Sequence, residues 1–135
     1  MFKLTKIYNS GVNVAEPCRM YTTAGTAYRI GSALTVTAGK LTNATETAKP
    51  EYIAAESAAA GEKKTLLCYP VFDNMVFEAP VSGTPTSIKV GTKIVLALTE
   101  GFADRLGVST TDGVATVVDT RGATRAGDKI FVKFQ

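Results

Sequence analysis

Residues Tyr52–Pro80, YIAAESAAAGEKKTLLCYPVFDNMVFEAP, decide the fold, together with the closing stretch Arg121–Gln135, RGATRAGDKIFVKFQ. Each pairs a strand-like apolar run with a glycine-containing turn, the pattern of short strands joined tightly. Lys129–Phe134 is the cleanest example: Ile130, Val132 and Phe134 fall on one side of an extended chain, Lys129, Phe131 and Lys133 on the other. Thr65–Val71 is strand-like throughout. Met75–Ala79 makes a further strand, entered by the Asp73-Asn74 turn and stopped at Pro80. Tyr52–Glu56 is ambiguous, because Ala and Glu favour helix. Gly61 follows closely and so short a helix is marginal in water, so this stretch reads as strand, loop, strand.

Outward from there the punctuation continues. Tyr28–Val36 reads as a strand interrupted or bulged at Gly31-Ser32, and Thr37–Lys40 as a turn into a return strand over Lys40–Thr42. Asn43–Lys49 is a polar loop stopped by Pro50, and Val81–Thr86, with Gly83 and Pro85, is another. Ser87–Thr99, SIKVGTKIVLALT, has two apolar halves about Gly91-Thr92 and fits either a bulged long strand or a hairpin. Gly101–Gly107 fits a single helical turn lined by Phe102, Leu106 and Val108, and Asp112-Gly113 is a hairpin signal before the strand Val114–Val118. Residues 1–25 are the least regular, with the turn cluster Asn9-Ser10-Gly11 and the non-donating Pro17. They read as an extended N-terminal arm holding one edge strand at most, with 26–135 as the core. The expectation is an all-β single domain over 1–135: a small β-barrel or sandwich of about seven or eight short antiparallel strands.

The chemistry missing from the chain is as informative as the pattern. Among 135 residues there is no histidine, which removes the commonest general base and the commonest metal ligand. No GxSxG, P-loop or GxGxxG is present. Glu56, Asp73, Glu78, Asp112, Asp119 and Asp128 are the carboxylates to weigh as paired acids. Asp73, Asp112 and Asp128 sit beside turn residues, where Asp bonds its own backbone. Glu56 and Glu78 can meet across strands, though nothing in the sequence requires it. Cys18 and Cys68 form no CxxC pair, and a zinc site would need ligands this chain lacks. A disulfide between them stays open, and Cys68 in Leu66–Tyr69 reads most simply as a small buried apolar residue. Thr120–Asp128, TRGATRAGD, has the glycines and arginines of a phosphate cradle but reads better as a hairpin loop with solvated arginines. No catalytic, cofactor-binding or metal-ligating residue is therefore assigned, no cofactor is expected, and the chain reads as a non-enzyme.

Charge narrows the partners. The net charge of +3 comes from scattered residues, not from a basic stripe, which argues against nucleic acid. Tyr28-Arg29 and Phe131–Lys133 come nearest to a stacking surface flanked by basic groups, and packing is the simpler role for both. No run approaches the roughly 18 apolar residues of a membrane span. Met1–Val14 has no apolar signal-peptide core, so folding in the cytosol is expected.

At Tyr52–Glu78 and Val117–Phe134 the chain resembles capsid decoration (head-stabilising, or cement) proteins of tailed bacteriophages. The matching elements are YIAAESAAAGE, LLCYPVFDNMVFEAP with a loose D-x-x-F/W-E over Asp73–Glu78, and VVDTRGATRAGDKIFVKF. The resemblance implies a structural virion protein assembled in the host cytoplasm. It would sit on the outside of the head, often as a homotrimer, and bridge neighbouring major capsid subunits. Another phage structural component, such as a head fibre, tail or minor shell protein, is the alternative. A single-stranded nucleic-acid-binding domain of the OB type comes third.

Overall fold

The alternating runs form twelve strands in a computed structural model that describes residues 1–8 and 15–135. One sheet joins β1 (Lys3–Ile7), β7 (Met75–Pro80), β12 (Lys129–Phe134), β11 (Ala115–Asp119) and β8 (Lys93–Ile94), in that order. A second joins β2 (Cys18–Tyr21), β6 (Thr65–Pro70), β5 (Tyr52–Ala54), β3 (Ala33–Thr37) and β4 (Lys40–Asn43). A ribbon of β9 (Leu96–Thr99) and β10 (Phe102–Leu106) completes the set. Every ladder is antiparallel. The sheets stay open and face each other, so of the two expected architectures the molecule takes the sandwich.

The Val71–Asn74 connection carries the chain from the second sheet to the first, so β6 and β7 are neighbours in sequence but not in a ladder. In β7, Met75, Phe77 and Ala79 enter the shared core, and Ile130, Val132 and Phe134 of β12 meet them as their alternation requires. Phe134 is the centre of that core. Its ring lies 5.4 Å from Phe2 in an edge-to-face arrangement and 5.4 Å from Phe77. The second sheet contributes Ala33 and Ile53 to this core. Its other face is buried as well: Leu34, Leu41, Ala54, Leu66 and Cys68 form a smaller cluster with Tyr28 and Ala58. The one-residue step from Ala33 to Leu34, or from Ile53 to Ala54, moves from one core to the other, as successive strand residues must.

Three expectations need correction. The irregular N-terminal stretch, expected to hold one edge strand, contributes two paired strands. β1 pairs with β7, Phe2 is 3% exposed, and β2 pairs with β6 from Cys18↔Cys68 to Tyr21↔Thr65. A register shift between Leu4 and Lys6 breaks the alternation of β1, and that bulge is why its apolar residues look unpatterned. The Asn9-Ser10-Gly11 turn lies outside the described residues.

Gly101–Gly107 is likewise strand and not a helical turn. A register shift between Ala103 and Arg105 buries the consecutive pair Ala103-Asp104, which mimics the crowding of a helix face. Its hairpin partner is reached through Glu100-Gly101, both at positive φ (54° and 87°), a two-residue turn that an Asn-Gly or Asp-Gly search passes over.

Asp112-Gly113, in turn, joins β10 to β11, which belong to different sheets, so it is a corner and not a hairpin. Glycine is needed there for a close approach: a Cβ on Gly113 would lie 2.4 Å from the Lys93 carbonyl carbon. The turn at Thr37–Lys40 is as expected, with Ala38 and Gly39 at φ of 50° and 78° linking β3 to β4.

Candidate functional site

Of the six carboxylates weighed above, five are engaged with partners of their own. Glu56, just beyond β5, accepts from Lys63 Nζ at 2.7 Å and from the Leu67 backbone N–H at 2.9 Å, with Arg19 at 3.8 Å. The Lys63 bond, then that of Leu67, holds its carboxyl below the ordinary range. Glu78, on β7, takes Arg121 at 3.4 Å and Lys129 at 3.6 Å. Asp128 accepts the backbone N–H groups of Thr124 (2.8 Å) and Arg125 (3.0 Å), and these two bonds lower its pKa. Asp119 accepts from the Arg121 N–H at 2.8 Å, the local turn bond expected of Asp. Asp73 meets Lys49 at 3.4 Å on the surface, and Asp112 takes the left-handed turn position at φ 55°.

These bonds settle the Thr120–Asp128 loop. Its backbone donors face a carboxylate of the same loop, so the nest that could cradle a phosphate is already filled by Asp128. Arg121 lies over the Phe131 ring at 4.7 Å and reaches Glu78, closing the hairpin between β11 and β12. A second clamp of the same kind lies by the β9–β10 ribbon. Arg29 covers Phe102 at 4.4 Å, pairs with Glu100, and reaches the largely buried Asp104 at 3.4 Å. Glu100 first, and Asp104 after it, holds the Arg29 guanidinium above its ordinary pKa. Of the two aromatic-and-basic groups singled out from the sequence, Arg29 is engaged by Phe102, Glu100 and Asp104, and the Phe131 ring is covered by Arg121. Tyr28 beside Arg29 is 3% exposed, and its hydroxyl donates to the Leu41 carbonyl at 2.7 Å while accepting from the Thr23 N–H at 2.9 Å.

Among the described residues no group of three or more His, Cys, Asp or Glu side chains could hold a metal. A cleft of about 340 Å³ opens between the sheets, lined by Phe2, Leu4, Ile30, Ile53, Tyr69 and Phe77 among others. Its walls are mostly apolar, with Lys3 and Tyr69 among the lining residues.

The surface is what remains, and the two polar loops sit on it in different ways. In Asn43–Lys49 the ends are tied down: the Ala44 N–H donates to Ala33 and the Glu46 carbonyl accepts from Leu96 at 2.8 Å. Thr45, Glu46 and Thr47 are left exposed at its crest. Val81–Thr86 is anchored by a fully buried Val81, whose N–H donates to Asp128, while Ser82 donates to Leu106. Ser82, Thr84 and Thr86 face outward. The first loop has a neighbour that sequence reading passed over. Lys49 bridges to Asp73, and beside it Phe72 stands 57% exposed at the rim of a recess lined by Lys49, Pro50, Glu51, Tyr52, Pro70 and Val71. A phenylalanine followed by the Asp73-Asn74 turn was the available signal, since a ring placed in a sheet-to-sheet connection has no core position to occupy.

No protein-family model matches this chain, and no curated protein matches its sequence. A solved structure does share the architecture: the N base of the head fiber gp8.5 in bacteriophage phi29. The two superpose with a TM-score of 0.58 over 89% of this chain and 95% of that one, at 13% sequence identity. At that identity the likeness is one of fold.

Proposed function

We propose that this protein is a structural component of a tailed-bacteriophage virion, a head appendage of the head-fibre type that stands on the outside of the shell. The observation that carries the reading is the likeness to the phi29 head-fiber base, which spans nearly all of both chains. It is supported by what the surface offers: exposed loop crests and exposed apolar side chains such as Tyr21, Phe72 and Val90, with Arg19, Arg29 and Arg121 each held by a carboxylate. Such a domain works by adhesion. Many copies on a repeating lattice supply avidity, so each contact can be weak. The major capsid protein is the partner this reading requires, and catalysis, cofactor and nucleic acid have no part in it.

Bridging of neighbouring capsid subunits, as in decoration proteins, is the second reading, favoured by the motifs at Asp73–Glu78 and Val117–Phe134. Those motif residues serve the scaffold here. Phe77 is in the core, and Glu78 pairs with Arg121 and Lys129. They therefore support the β-sandwich more than they support a bridging contact.

The test is mass spectrometry on gradient-purified virions of the parent phage, with heads and tails separated before digestion. The proposal expects the chain in the head fraction at many copies per particle. Its absence from virions, or its confinement to the tail fraction, would overturn the proposal.

A further inference from the structure

Cys18 and Cys68 are direct partners across the β2–β6 ladder, and their sulfurs lie 3.9 Å apart. The class of this pair follows from the ladder. The Thr22 N–H donates to the Lys64 carbonyl at 3.0 Å, which makes Thr22 and Lys64 a hydrogen-bonded pair. Antiparallel pairs alternate in class, so Met20–Leu66 and then Cys18–Cys68 are hydrogen-bonded pairs too. Such pairs hold their Cα atoms about 5.5 Å apart, within the range a disulfide spans. Rotation of the side chains is enough to bring the sulfurs to bonding distance, with no slip of register. We propose that Cys18 and Cys68 form a reversible cross-strand disulfide that locks the edge strand β2 onto β6 when the protein meets an oxidising small-molecule disulfide. The proposal rests on register and sulfur separation and is independent of the virion reading.

The chemistry balances with oxidised glutathione as the oxidant. Cys18 is the more accessible thiol and Cys68 is fully buried. Cys18 therefore loses its proton to water and attacks one sulfur of the glutathione disulfide, breaking that bond and releasing one glutathione thiol. Cys68 then loses its proton, and its sulfur attacks the Cys18 sulfur, expelling the second glutathione. Two protein thiols become one disulfide, and one glutathione disulfide becomes two thiols. Burial, followed by the neighbouring Cys18, pushes the Cys68 thiol up to about 12 in the dithiol form; once Cys18 is in the mixed disulfide burial alone still holds it up, so the closing step speeds up as pH rises. The consequence is mechanical. β2 pairs along its length with β6 and Thr22 just beyond it bridges to Leu41, so a covalent tie at Cys18 closes a long loop and holds the end of β2 that lies away from that bridge.

The experiment treats the folded chain with oxidised glutathione at pH 8 and reads intact mass, free thiols and thermal unfolding, with Cys18→Ser and Cys68→Ser in parallel. The expected product is a monomer lighter by two hydrogens, with Cys18 and Cys68 linked in one peptide pair. Its unfolding midpoint should rise by about 10 °C and return on reduction with dithiothreitol. Neither variant should gain that rise. The proposal is overturned if both thiols persist in the treated protein, if only a mixed disulfide at Cys18 or a cross-linked dimer forms, or if the bond forms without raising the midpoint.

Discussion

The two hydrophobic clusters of this molecule are built on different principles. The shared core between the sheets is closed by size: Phe2, Phe77 and Phe134 interlock, and all three are almost fully buried. The outer cluster of the second sheet contains no phenylalanine. It is closed by Tyr28, whose ring packs on Leu34, Leu41 and Leu66 and whose hydroxyl ties the Leu41 carbonyl to the Thr23 N–H. A sheet rich in Thr and Ala does not bury enough apolar surface to seal a face alone, so polar closure completes it. The difference teaches where the fold is strong and where it opens.

The largest effect is expected in the shared core. Phe134→Ala should cost about 3–5 kcal/mol, read by denaturant unfolding, because two aromatic neighbours lose their packing partner at once. A loss near 1 kcal/mol would show that the aromatic cluster is not the centre of the fold. Gly113→Ala tests how tightly the corner before β11 presses on Lys93, and should cost about 1–3 kcal/mol through forced backbone movement. If the variant is as stable as the parent, the close approach is wrong.

Tyr28→Phe keeps the ring of the outer cluster and removes its hydroxyl. The Leu41 carbonyl still accepts from the Thr23 hydroxyl at 2.7 Å, so the loss should be about 1 kcal/mol. Adding Thr23→Val strips that second donor as well, and the double variant should lose more than the sum of the two single losses. Simple additivity would mean that the two hydroxyls do not back each other up.

The smallest effect is that of acid. Glu56 fixes the stretch between β5 and β6, and Asp128 closes the β11–β12 loop, each with a folded pKa below its ordinary value. Such groups bind protons more weakly when folded than when unfolded. Their contribution is complete above the ordinary carboxyl range and disappears as pH falls through the lowered folded values. Both carboxylates are partly exposed and screened by water, so the drop in unfolding midpoint on acidification should be small. Glu56→Gln and Asp128→Asn should flatten it, and an unchanged acid limb in the double variant would sink the assignment.

How much of this was legible in the sequence depended on regularity. β12 and β6 were readable from their alternation, β7 from an apolar run between a turn and Pro80, and the β3–β4 hairpin from the turn that Gly39 marks. β1 and β10 were hidden by bulges, which move one residue out of phase and erase the period that strand reading depends on. Two-residue strands such as β8 carry too few positions to show a pattern, so the count of strands was underestimated. The turn roles of Asp119 and Asp128 followed from the residues around them. The exposed Phe72 was passed over, because the Asp73-Asn74 signal shows that the chain turns and not that it crosses between sheets.

Cryo-electron microscopy of the intact virion tests the central claim most directly. The account predicts that the two-sheet body fits density standing on the outer surface of the head, in many copies. Density for the chain on the tail or inside the shell, or particles that carry no copy of it, would contradict the account.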